Sequence, residues 1–190
     1  QYFLAISVIG YLLILPLSVQ NVLIATLLNK SNPAKLKLTV NFFKATFIGI
    51  ALILILLFFS SHIIIYILGG KSFINSALYL QCLLPSVLFQ ITGVIWSSLW
   101  NIKGYFKIIT KLSIVIVVLS LILNFALIKS IGVRGAIITT NIITFLSMCG
   151  HIFLIAREFK NSDISILEVF PRKRDLLYFK ESIKNFKYKL

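Results

Sequence analysis

Residues 1–157 contain no aspartate or glutamate, and the basic residues within them divide the chain into long uncharged intervals: 1–29, 45–70, 72–102, 112–128 and 135–156. A helix crossing a bilayer needs roughly 20 apolar residues for about 30 Å of hydrocarbon. Each interval is long enough, except that 112–128 must borrow from its flanks. The intervals are continuously apolar, whereas a membrane barrel strand alternates. The pattern predicts an all-α, polytopic membrane helix bundle with five transmembrane helices, near 2–28, 45–68, 76–100, 106–128 and 134–156. With 59% hydrophobic residues, 13% charged and a mean hydropathy of +1.00, the chain is neither an ordinary soluble domain nor disordered. Two cysteines exclude a disulfide scaffold.

The expected organisation is a transmembrane bundle over 1–156 and a basic tail over 157–190. All five acids (Glu158, Asp163, Glu168, Asp175, Glu181) lie in that tail. The chain opens inside an apolar run without a basic n-region, so it does not read as a signal peptide. It reads as the C-terminal part of something longer. Lys and Arg number four in 29–44, three in 101–111 and nine from 157 onward, against one in 69–75 and two in 129–134. Basic residues concentrate on the cytoplasmic side. The first helix is therefore expected to run inward and the C-terminus to be cytoplasmic. The tail itself suggests a helix from Asp163 to Phe170, a break at Pro171, and a basic amphipathic segment that either lies on an anionic inner leaflet or is simply solvated.

Candidate chemistry is sparse. The membrane intervals hold no carboxylate, so ion coupling through an intramembrane acid is not expected in them. His62 and His151 fall near opposite faces, and Cys82 and Cys149 lack ligand spacing, so neither a metal nor another cofactor is expected. No Ser or Cys has a His and a carboxylate beside it in the pattern of a nucleophilic enzyme. Gly70-Lys71-Ser72 lacks the upstream glycine of a phosphate loop, position 65 being Ile. The polar amides Gln81, Gln90, Asn124 and Asn141 fall inside spans, with Gln20 and Asn21 near the inner end of the first. They either bond between helices or line a polar pathway. Pro85 predicts a kink in the helix that carries Gln81 and Gln90. Lys103, Lys107 and Lys111 are spaced by four, which would place them on one helical face. There they would snorkel to headgroups or form a cationic mouth for a phosphate-bearing substrate.

Three stretches resemble the C-terminal half of the multidrug/oligosaccharidyl-lipid/polysaccharide exporter superfamily, and in particular the bacterial O-antigen and capsule repeat-unit flippases. They are Ile67–Phe73 (ILGGKSF), Leu78–Ser113 (LYLQCLLPSVLFQITGVIWSSLWNIKGYFKIITKLS) and Leu123–Thr140 (LNFALIKSIGVRGAIITT). Within them lie a Gly turn after a span, Gly104-Tyr105-Phe106-Lys107 between two spans, and an Asn before the loop of Gly132, Gly135 and Ala136. The resemblance implies part of a six-helix lobe of a twelve-helix transporter with alternating access in the bacterial inner membrane. It further implies flipping of an undecaprenyl-pyrophosphate-linked oligosaccharide for O-antigen, capsule or exopolysaccharide synthesis. Partners would be that lipid-linked substrate, membrane lipids and polysaccharide assembly proteins, with no nucleic acid. Alternatives are a multidrug or small-solute antiporter of the same superfamily, a polysaccharide polymerase or ligase, or a scaffold subunit. The short outer loops count against the enzyme.

Overall fold

The computed structural model describes residues 1–160, so the two segments expected in the tail lie outside the described residues. Five long helices follow one another: α1 (Tyr2–Leu27), α2 (Asn32–Gly69), α3 (Ser76–Ile102), α4 (Phe106–Ile131) and α5 (Val133–Lys160). Each is long and apolar enough to cross a membrane. The chain is a multi-pass membrane helical protein. In hydrocarbon a lone segment must satisfy its own backbone, and only the helix does so locally.

The largest departure from expectation is the start of α2, at Asn32 rather than near residue 45. Charge limits how deeply a segment enters lipid, but it does not stop a helix, and lysine is a good helix former. Pro33 near the helix start tolerates this position because the first N–H groups have no intrahelical partner anyway. At 1.5 Å per residue the 38 residues of α2 span about 57 Å, so the turns bearing Lys35, Lys37 and Lys44 extend past the hydrocarbon.

The reversals are short. Gly70, Gly104 and Gly132 carry the only positive φ values among the described residues, at 71°, 75° and 62°. Gly132 closes α4 by donating its N–H to the Ile128 carbonyl at 2.9 Å, and α5 begins one residue later. A side chain at that φ would be strained.

The packing is organised by α3. It contacts α1, α2 and α5 extensively, and Leu80, Leu83, Val87, Ile91, Ile95, Trp96, Leu99 and Trp100 along it are essentially inaccessible. Although α4 follows α3 in sequence, it packs almost wholly on α5. α5 touches α3 through Asn141, Phe145 and His151. On its other side Gly135 lies against Leu127, and Gly150 against Leu112, both of α4. α5 is thus sandwiched between its neighbours and runs parallel to α3. No residue of α4 is buried, and Phe125 is 78% exposed. Such a surface suits acyl chains, against which an apolar helix face loses nothing.

Candidate functional site

Connectivity gathers charge at one end. The α1–α2 turn, the foot of α2, the α3–α4 turn and the end of α5 bring together Lys30, Lys35, Lys37, Lys44, Lys103, Lys107, Lys111, Arg157 and Lys160. The opposite end holds Lys71, Lys129 and Arg134. Glu158 is the sole carboxylate among the described residues, and it sits at the basic end.

The expected lysine stripe is not a single helical face. Lys103 lies at the C-cap of α3, and Gly104 reverses the chain before α4 starts at Phe106. The regular spacing of four is interrupted by that glycine, since a positive φ ends the helical repeat. Lys103 instead forms an ion pair with Glu158, both side chains being about 14% and 13% exposed. Tyr105 donates a long contact of 3.4 Å to the other Glu158 oxygen. Lys107 and Lys111 remain on the exposed side of α4 without an ion pair among the described residues.

Beside this pair lies an aromatic stack. Trp96 and Trp100, one helical turn apart, stack with ring centroids 5.8 Å apart and 28° between planes. Phe43 and Phe159 flank Trp96 at 6.2 Å each, and Tyr105 lies 5.9 Å from Trp100. Both indole N–H groups are buried without a hydrogen-bond partner among the described residues. A cavity of about 110 Å³ opens here, lined by Trp100, Tyr105, Ile108, Leu154, Arg157 and Glu158. A wider groove of about 480 Å³ is lined by Val19 of α1 and by Asn41, Phe42, Ala45 and Thr46 of α2.

The amides are elsewhere, and neither cavity reaches them. Gln81 donates to Ser61 Oγ at 2.7 Å and to the Phe58 carbonyl at 3.1 Å, fastening α3 to α2. Asn141 donates to the Cys82 carbonyl at 3.0 Å, fastening α5 to α3, and to its own helix at Ile137. Gln20 donates to Ser97 Oγ at 2.8 Å and joins α1 to α3. Asn124 donates to Ser120 Oγ within α4 at 3.3 Å. Gln90 is half-buried and makes no side-chain hydrogen bond among the described residues. Hence Gln81 and Asn141 are interhelical fasteners, and the structure does not bring the amides and lysines into one site.

α3 continues through Pro85 as one helix. Proline there removes the N–H that would meet the Gln81 carbonyl. Asn141 grips the adjacent Cys82 carbonyl, so the cross-link falls in the turn that proline loosens. Replacing Gln81 or Asn141 by leucine should lower stability by about 0.6–2 kcal/mol each, the range for hydrogen bonds between membrane helices. Thermal unfolding in detergent reads this; an unchanged midpoint would return these residues to the list of pathway candidates.

Sequence reasoning passed over the aromatic stack, Arg157 and the pairing of Glu158. Trp96 and Trp100 at i and i+4 near the end of a span were a legible signal, as was the position of Glu158 as the first acid in the chain. The chain matches no protein-family model, no curated protein and no solved structure.

Proposed function

We propose that these helices form part of a lobe of an alternating-access carrier that flips an undecaprenyl-pyrophosphate-linked oligosaccharide across the bacterial inner membrane, with the basic end cytoplasmic. The observation that carries the reading is the charge distribution. Residues 1–157 are free of acids, and among the described residues nine basic side chains gather at one end with one carboxylate, Glu158, which is paired with Lys103. A cargo with a pyrophosphate headgroup is favoured by such a field, and a cationic drug is disfavoured. The family-like stretches support the reading, since each runs across a chain reversal: the end of α2, the α3–α4 reversal and the α4–α5 reversal. With Gln81 and Asn141 committed to fastening helices, the pathway candidates are Gln90, Asn124, Lys107 and Lys111.

The experiment is inversion of a fluorescently labelled lipid-linked repeat unit in vesicles containing the complete protein. Inversion faster than in empty vesicles is the expected result, and no excess over empty vesicles sinks the reading. Orientation is checked in cells by placing single cysteines in a Cys82→Ser/Cys149→Ser background. A cysteine at Ser31 should resist a membrane-impermeant maleimide added outside, whereas one at Ser130 should react.

A further inference from the structure

The cavity beneath the α3–α4 reversal has a chemistry that the carrier reading does not use. We infer that it seats the phosphate of an anionic phospholipid headgroup, held by Arg157 and framed by Trp100 and Tyr105. The inference needs only that the helices lie in a membrane and is independent of any cargo.

Arg157 lines the cavity and makes no hydrogen bond or ion pair with another described residue. A guanidinium matches two phosphate oxygens at once, which makes it the strongest side-chain partner for that group. The neighbouring Glu158 would repel an anion, but Lys103 and Glu158 neutralise each other. Arg157 and Glu158 of the lining, with Lys103 beside them, therefore sum to one positive charge, and it is the Arg157 charge that is left without a partner among the described residues. At about 110 Å³ the space equals about four waters' share of liquid volume, enough for one phosphate and too little for a sugar chain.

Depth and surroundings favour a lipid over a free anion. The cavity lies at the end of three spans, where tryptophan and tyrosine mark the headgroup level of a bilayer. Ile108 forms part of its wall, and Val115 and Ile122 follow at intervals of seven on the same face of α4. These three are 39%, 54% and 59% exposed, which continues the cavity as an apolar track along the helix. A phospholipid would place its headgroup in the cavity and an acyl chain along that track. Inorganic phosphate would have no use for it.

Trp96 and Trp100 are the only tryptophans of the sequence, so intrinsic fluorescence reports from this place alone. The chain is reconstituted into phosphatidylcholine bilayers carrying a minority of either brominated phosphatidylglycerol or brominated phosphatidylcholine. Half-maximal quenching is expected at an about fivefold lower mole fraction of the anionic lipid, the factor that one interfacial basic residue supplies. Arg157→Gln should erase the preference, while Lys37→Gln, at the same end of the bundle on α2 and outside the cavity lining, should leave most of it. Equal quenching by the two lipids in the unmodified chain overturns the inference, and that comparison needs no variant. An equal loss in both variants also overturns it, because diffuse charge would then suffice. Relief of quenching by inorganic phosphate, but not by chloride at matched ionic strength, would reassign the cavity to a free anion and overturn the lipid assignment.

Discussion

Gly135→Ala is expected to destabilise the α4–α5 hairpin, although glycine to alanine inside a helix ordinarily gains about 1 kcal/mol. A Cβ at this position would run into the Leu127 carbonyl, and it would stand 2.9 Å from the Ile128 nitrogen. Those are backbone atoms of α4, so no rotamer change relieves the clash. The two helices would have to separate along the contact that gives α4 nearly all its packing. Overpacking of this kind costs about 1–3 kcal/mol or more, and outweighs the propensity gain. Gly49 is the matched control, since a Cβ there meets nothing within 4 Å. Gly49→Ala should raise the unfolding midpoint in detergent and Gly135→Ala should lower it. A rise in both would mean that α4 does not approach α5 this closely.

Removing the carboxylate of Glu158 should be comparably damaging. Lys103 would keep its charge in a largely enclosed position with no carboxylate beside it, and breaking a buried pair from one side costs about 3–5 kcal/mol. Partial access to solvent at the bundle end puts the expected loss for Glu158→Ala near the lower limit of that range. The contact ties the α3–α4 reversal to the end of α5, so the loss should also expose the Trp96–Trp100 stack and shift its emission to the red. Lys103→Met combined with Glu158→Leu should recover most of the stability, because no charge is then left alone. Comparison of the double variant with Lys103→Met and Glu158→Leu made singly isolates the coupling. Additive losses would show that the pair contributes nothing of its own.

The two effects illustrate how differently the parts of the chain could be read beforehand. The helix ends at Gly70 and Gly132 were visible as glycine turns between uncharged runs, and both have the positive φ that such turns require. The start of α2 was misplaced because lysines mark the edge of the membrane, not the edge of the helix. The Lys103–Lys107–Lys111 repeat was misread as one face because spacing alone does not reveal a chain reversal between the first and second members. For Gln81 and Asn141, the sequence left two uses open. Their carbonyl and hydroxyl acceptors on other helices decided between them.

By itself, then, the sequence determined the number, order and approximate extent of the spans and which of their ends share the charge. Water and hydrocarbon differ so strongly as solvents for charged and backbone groups that composition along the chain is enough to specify those features. Only the tertiary structure decided that α3 is the hub, that α4 lies on α5 and not on its predecessor, and that Lys103 meets Glu158. In lipid an inward-facing residue need be no more apolar than an outward-facing one, so the periodicity that marks a buried face in water is lost. Neighbours are then chosen by shape, as where Gly135 admits the backbone of α4 and Gly93 admits the ring of His151.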